Sequence, residues 1–212
     1  MRINDPKVPV TMASRLVSLD DDAPEPARPP PERRAEDVLW QTLRDATQGQ
    51  HRLLDQTMST LNLADSADYV RFLTIHRDAL HGLRTQWRAD DDADFSALQQ
   101  SLDRDLQALG CRSKDSEAPP APAGAPTPSQ WGVSYVIRGS RLGGALLRRR
   151  VPDDYASAYL DYSMSLSWPA FLKQLGADSR LGADPHALVA GALRAYAAFA
   201  NAASAICQKK AD

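Results

Sequence analysis

The segment that decides the fold class spans residues 66–87 and reads SADYVRFLTIHRDALHGLRTQW. Its large side chains recur at steps of three and four residues, which is the spacing of one face of an α-helix. Ser66 precedes this face and is the predicted N-cap. The face consists of Tyr69, Phe72, Leu73, His76, Leu80, Leu83 and Trp87. No stretch of the chain alternates convincingly with period two, so we expect an all-α fold.

The same periodicity predicts about six helices in total. One carries Leu39 to Leu61, and another runs from about residue 94 to 109 and ends at Gly110, a typical C′ residue. Helices are also predicted over 131–150 and about 154–175. The last begins at Asp184 and Pro185, an N-cap followed by proline at the first helical position.

Proline placement predicts the domain organisation. Of 15 prolines, seven lie in residues 1–35 and five between residues 119 and 128. Residues 1–35 are polar and poor in large apolar side chains, so we expect a disordered tail. Residues 36–212 are then a single helical domain, and 112–130 are a flexible proline-rich connector inside it.

Composition excludes several classes of protein. The net charge of −2 and the pI near 6.1 argue against a nucleic-acid-binding surface. No segment approaches the ~18 apolar residues of a membrane span, and the N-terminus has no apolar region typical of a secretory signal. Two cysteines are too few for a disulfide framework. These features predict a soluble cytoplasmic protein.

Residues 131–150, WGVSYVIRGSRLGGALLRRR, place three glycines, Gly139, Gly143 and Gly144, in the middle of a predicted helix. Each glycine costs a helix interior about 0.5–1 kcal/mol relative to alanine, so a bare backbone needs a reason. Gly139 and Gly143 are four residues apart and share a face. That face could bend the helix, admit a flat ligand, or pack closely on another helix, and spacing alone does not choose among these.

His51 is the second candidate. It lies one turn after Thr47 and one turn before Asp55, at the edge of an apolar face. An imidazole there could bind a metal through one nitrogen while the other donates to the carboxylate at i+4. The alternative is a histidine that is simply hydrogen-bonded at the boundary of the core.

Together, the two segments resemble the heme oxygenase family. The matching patterns are Leu43-x-x-Ala46-Thr47-x-x-x-His51-x-x-Leu54-Asp55 and Tyr135-Val136-x-x-Gly139-Ser140-x-Leu142-Gly143-Gly144. Their order is that of the family, and the nearer likeness is to the bacterial branch that includes enzymes associated with bacteriophytochromes. The resemblance covers roughly residues 36–208 and leaves the tail outside.

The resemblance implies a helical fold that holds heme between two helices. His51 matches the iron ligand, and Gly139 and Gly143 match glycines that leave room for the porphyrin and for iron-bound O₂. Thr47, Asp55, Tyr135 and Gly144 are the other motif residues expected to contact heme. Members commonly carry a distal aspartate that residues 136–150 lack, so Ser140 and the glycine backbone are the candidates for proton delivery.

Heme would be both cofactor and substrate, and the products would be biliverdin, carbon monoxide and ferrous iron. Electrons would come from an external ferredoxin or reductase, because the chain has neither a dinucleotide fingerprint nor a cysteine cluster. Arg150 returns to nearly the face of Gly143 and is the predicted contact of a propionate. A bacteriophytochrome would be the partner that receives the bilin.

Two other functions remain open at this stage. A protein of the same fold could bind or deliver heme without turnover. The helical domain could instead be an adaptor that contacts a signalling protein.

Overall fold

The computed structural model describes residues 35–111 and 123–208, and their regular structure is entirely helical. The predicted all-α class is therefore confirmed. Within the described ranges there are nine α-helices, of which three are only four or five residues long. The helices are α1 (Ala35–Ser59), α2 (Ser66–Leu83), α3 (Asp92–Ala108), α4 (Pro128–Ser140), α5 (Gly144–Arg148), α6 (Ala158–Asp161), α7 (Trp168–Ala177), α8 (Ser179–Ala183) and α9 (Pro185–Gln208). Nearly all of the predicted tail, residues 1–34, and residues 112–122 of the predicted connector lie outside the described residues.

Several helix ends follow the local rules. The Asp184 carboxylate accepts a hydrogen bond from the Ala187 backbone N–H at 2.9 Å, which confirms the predicted cap of α9. Gly110 has a φ of 79°, the left-handed conformation expected at a C′ glycine. The cap of α2 is Asp65 rather than the predicted Ser66, because the Asp65 carboxylate accepts from the Asp68 N–H.

Helix α4 begins three residues inside the predicted connector. Thr127 and Gln130 form a capping box, in which each side chain bonds the backbone N–H of the other, and Pro128 occupies the first turn. The described part of the connector before this cap, residues 123–127, is not helical.

The predicted helix over 154–175 is wrong. Residues 162–167 are not helical, and their polar groups bond instead to a buried ion cluster. Arg138 of α4 pairs with Asp91 at 2.7 Å and Asp94 at 3.0 Å, and it donates to the Leu166 carbonyl at 3.1 Å. Asp94 also accepts the backbone N–H of Ser165 at 3.0 Å. Partners distant in sequence therefore replace the helical hydrogen bonds of this segment.

The same cluster keeps Asp94 ionised. Burial alone would raise the pKa of its carboxyl, but hydrogen bonds from Ser165 and Tyr162 and the charge of Arg138 hold it below its ordinary value. Because Asp94 lies on α3 and Arg138 on α4, the cluster joins these two helices to the segment that precedes α7.

Helix α9 packs against α1, α2 and α4. Its contact with α4 depends on two glycines for which sequence reasoning had no role. A Cβ atom at Gly132 would lie 2.0 Å from the Leu188 carbonyl oxygen, and one at Gly191 would lie 1.9 Å from the Ser129 carbonyl oxygen. Backbone atoms cannot yield at these distances, so the two helices approach closely only because both positions lack a side chain.

Candidate functional site

A cavity of about 550 Å³ lies among α1, α2, α9 and the α4–α5 region. Its volume falls within the ~300–1,000 Å³ typical of sites for small molecules and cofactors. Its wall includes most of the residues predicted from the two motifs. They are His51, Asp55, Tyr135, Gly139, Ser140, Gly143 and Arg150. The motifs, separated by more than 80 residues in the chain, thus meet at one site.

His51 is held by the carboxylate one turn further along α1. Its Nδ1 lies 2.8 Å from Asp55 Oδ2, and the two side chains are 59% and 66% exposed. Because a carboxylate only accepts, Nδ1 donates the proton and Nε2 of the neutral ring keeps its lone pair. The edge of the ring also contacts Tyr196 of α9, with centroids 6.1 Å apart. This arrangement is the one by which a carboxylate orients a metal-binding imidazole.

The glycine-rich segment is broken rather than continuous. Helix α4 ends at Ser140, Arg141–Gly143 form a 3₁₀ turn, and α5 begins at Gly144. The prediction of one helix over 131–150 is therefore wrong at its centre. The 3₁₀ turn contains Gly143 and directly follows the helix that ends one residue after Gly139.

Close packing does not explain Gly139 or Gly143. A Cβ at Gly143 would meet nothing within 4 Å, and one at Gly139 would make an ordinary 3.5 Å contact with the Trp168 ring. Both positions line the cavity, so their missing side chains leave open space in it. The close-packing alternative applies to Gly132 and Gly191 instead.

Gly144 and Thr47 do not line the cavity, in contrast to their predicted contact with a cofactor. A Cβ at Gly144 would lie 3.3 Å from Arg141 Nη2 and 3.4 Å from the Leu160 carbonyl, so a side chain there would need a shift of only a few tenths of an ångström in Arg141. Thr47 is buried, and its hydroxyl donates to the Leu43 carbonyl at 2.7 Å. Gly144 lies about 100° around the helix axis from Gly143, whereas Thr47 is buried with its hydroxyl bonded to its own helix.

Thr47 instead lies beside two buried tyrosines that line the cavity. Burial raises the pKa of Tyr135 and raises that of Tyr196 to about 12, and hydrogen bonding with Thr47 offsets part of the effect in both. Both phenols are therefore neutral near pH 7. The cavity wall accordingly has two uncharged hydroxyl-bearing rings.

The Ser140 hydroxyl is already engaged. It donates to the Ile137 carbonyl at 2.8 Å, which leaves its oxygen as an acceptor. Ser140 lines the cavity as predicted, but it would have to release Ile137 before donating a proton there.

The three arginines at residues 148–150 take different roles. Arg150 lines the cavity from its exposed rim, and its Nη2 donates to the Leu61 carbonyl at 3.1 Å. Arg148 donates to the Val151 carbonyl and pairs with Asp161 at 3.5 Å. Among these three cations, Arg150 alone faces the cavity, which agrees with its selection from the sequence.

Sequence reasoning missed several walls of the cavity. Phe72 and His76 of α2 and Tyr196 and Phe199 of α9 line it, although their spacing indicated only a buried helical face. His76 belongs to the predicted helical face of α2, and its Nδ1 lies 2.8 Å from the Phe72 carbonyl. Periodicity locates the buried face of a helix but does not show whether that face meets a neighbour or a cavity.

No protein-family model matches the chain, and no curated protein matches it either. Across the described residues, no helix is both long and apolar enough to cross a membrane. No group of three or more histidine, cysteine or acidic side chains in the described ranges is arranged to hold a metal ion. A porphyrin supplies four nitrogen ligands of its own, so one imidazole is enough for heme iron.

Proposed function

We propose that the protein is a heme oxygenase that binds heme in this cavity and cleaves it to biliverdin, carbon monoxide and ferrous iron. The observation that carries the proposal is that His51 and Gly143, selected from separate motifs, line one cavity of about 550 Å³. The resemblance described above supplies the reaction. Heme, when bound, supplies both the iron at which O₂ is activated and the macrocycle that is cleaved.

His51 is the residue that would hold the iron. Its Nε2 is free of the Asp55 pair, and the negative carboxylate makes the imidazole a better electron donor. A single imidazole would hold the iron and leave it able to react with O₂. Asp55 therefore orients the ligand and does not contact heme through the atom that bonds His51.

The bare backbone at Gly139 and Gly143 would lie against the other face of the porphyrin. Since no side chain fills the space at Gly143, a flat ligand can approach the main chain there. Tyr135, Tyr196 and Phe199 provide aromatic surface in the same cavity. The exposed rim carries charged and polar side chains such as Arg150, together with the apolar side chains of Leu142 and Leu146, which are 61% and 66% exposed.

The rim would select the orientation of the ligand. Arg150 carries a positive charge at the cavity edge, whereas the buried end is bordered by Phe72 and Phe199. The propionates of heme are its only charged substituents, so they would lie near Arg150. This orientation determines which edge of the macrocycle lies deepest.

The proposal extends to the surroundings of the reaction. An external ferredoxin or reductase would supply electrons, and a bacteriophytochrome in the same cytoplasmic compartment would receive the bilin. These partners follow from the resemblance to the bacterial branch of the family.

A hemin titration of the full chain tests the proposal directly. We expect a saturable Soret band that collapses when ascorbate and catalase are added in air, while biliverdin absorbance rises. His51→Ala should reduce both hemin affinity and turnover, whereas His186→Ala, which changes an exposed histidine outside the cavity, should alter neither.

The possible outcomes separate the three functions. A band that forms but persists with ascorbate and with a protein reductase identifies a heme-binding protein without turnover. Absence of a saturable band would falsify the heme-binding site and favour the adaptor. Full turnover by His51→Ala, with an unchanged spectrum, would show that His51 is not the iron ligand.

A further inference from the structure

The cavity has a second histidine that the proposed reaction does not use. His76 lies on α2, is buried, and lines the cavity together with Phe72. Its Nδ1 is 2.8 Å from the Phe72 carbonyl oxygen. A carbonyl only accepts, so Nδ1 carries the proton and the lone pair is on Nε2.

The surroundings of His76 keep the ring uncharged. Its centroid lies 4.2 Å from that of Phe72, 5.3 Å from Tyr159 and 5.4 Å from Phe199. The nearest charge that acts on it is Arg141, whose guanidinium lies over the Tyr159 ring. Burial first, and then the positive charge of Arg141, lower the pKa of His76 to about 4, although the bond to Phe72 opposes the shift. The lone pair is therefore available at neutral pH.

His76 and His51 share the same arrangement. In each ring Nδ1 is anchored to an oxygen acceptor, by Asp55 for His51 and by the Phe72 carbonyl for His76. In neither does Nε2 have a hydrogen-bond partner among residues 37–111 and 123–206. An imidazole fixed through one nitrogen with the other free is the form in which histidine binds metals.

We propose that His76 is a second nitrogen ligand of the cavity, able to bind through Nε2 the iron of a heme held there. This inference rests on the proposed function. The buried edges of a heme present methyl, vinyl and methine groups, none of which can donate a hydrogen bond to Nε2. The iron is the group of heme whose chemistry matches a neutral imidazole lone pair.

The consequence is a cavity with two alternative iron ligands. His51 is exposed at the rim and is oriented by a carboxylate, whereas His76 is buried and oriented by a neutral carbonyl. The carboxylate makes His51 the stronger donor, so His76 acts when His51 is removed or displaced. Loss of His51 would then weaken hemin binding without abolishing nitrogen ligation.

The test leaves the buried residue intact. The chain has four histidines, so the triple variant His51→Ala/His81→Gln/His186→Gln retains His76 alone. Hemin is added to the ferric protein, and ligation is followed by absorbance and by electron paramagnetic resonance. We expect a nitrogen-ligated spectrum in the triple variant, with hemin affinity about 10–100-fold below that of the wild type.

Two further variants complete the experiment. Adding His76→Phe or His76→Gln to the triple variant should remove the nitrogen-ligated signal, and unfolding curves recorded without hemin establish that each chain is folded. A triple variant without nitrogen ligation overturns the inference even if the wild type binds and cleaves heme. A wild-type chain that binds no hemin overturns the proposed function, and the inference with it.

Discussion

Placing a side chain at Gly143 should close the cavity without damaging the fold. A Cβ at this position would meet nothing within 4 Å, and its φ of −81° and ψ of −13° are accessible to any residue. Replacing a helical glycine also recovers about 0.5–1 kcal/mol of backbone entropy. Gly143→Leu should therefore unfold at or slightly above the wild-type temperature, while its branched side chain occupies the site.

Gly132→Ala should have the opposite effect. Its Cβ would lie 2.0 Å from the Leu188 carbonyl oxygen and 2.6 Å from the Ala192 nitrogen, against a normal contact near 3.5 Å. The separation of α4 and α9 must increase by more than 1 Å, and overpacking of this kind costs about 3 kcal/mol. For a domain of this size that corresponds to a fall in Tm of about 6–12 °C.

The assay combines thermal unfolding by circular dichroism with hemin titration of the same samples. Gly143→Leu should lose at least about tenfold in hemin affinity, which is 1.4 kcal/mol of binding. Gly182→Leu is the matched control, because Gly182 also has open space around its Cβ but does not line the cavity. Wild-type hemin affinity in Gly143→Leu would refute the assignment of this cavity. An unchanged Tm in Gly132→Ala would refute the close approach of α4 and α9.

Three further predictions concern charges. Arg150→Gln should weaken the binding of hemin but not of hemin dimethyl ester. Equal losses of affinity in the titrations with the two ligands would contradict a propionate contact. Arg138→Met leaves Asp91 and Asp94 buried without their cation, so urea denaturation should show a loss of about 3–5 kcal/mol in the free energy of unfolding. Arg149→Met, which changes an exposed arginine, is the control. An equally small loss in both variants would argue against the ion cluster. The pKa of His76 is lowered from 6.5 to about 4, so the unfolded chain binds a proton that the folded chain excludes. The contribution of His76 to the free energy of unfolding is complete above pH 6.5 and falls by about 3 kcal/mol as the pH drops to 4. The free energy of unfolding of His76→Phe, measured at pH 7 and at pH 4, should not show this loss. A wild-type loss between the two pH values that is no larger than the variant's would contradict the prediction.

Local sequence rules predicted those parts of the fold that depend on neighbours in the chain. The cap at Asp184 and the left-handed glycine at residue 110 both follow from interactions within four residues. The failure at 154–175 has a long-range cause, because Asp94 and Arg138 bond to the backbone near Ser165 and Leu166. Nothing in that segment alone reveals that distant charged side chains compete for its polar groups.

Like the fold, the site was predictable where it depends on residues close together in the chain. His51 and Asp55 are one helical turn apart, so their pairing is a local property of α1. The burial of Thr47 beside Tyr135 and Tyr196 was not, because these tyrosines belong to α4 and α9. His76 was correctly placed on the buried face of α2, yet its position on the cavity wall depends on which neighbouring helices cover that face.

One face of α4 packs on α9 at Gly132 and borders the cavity at Gly139. Gly132 and Gly139 are seven residues apart, so they lie about two turns and ~10 Å apart on nearly the same side. The first glycine is required because α9 touches the backbone, whereas an alanine would fit at the second and at Gly143. Stability alone would favour alanine at those two positions, since a helical glycine costs about 0.5–1 kcal/mol. The open space at Gly143 therefore comes at a cost to stability, which is the result expected if the proposed ligand needs bare backbone there.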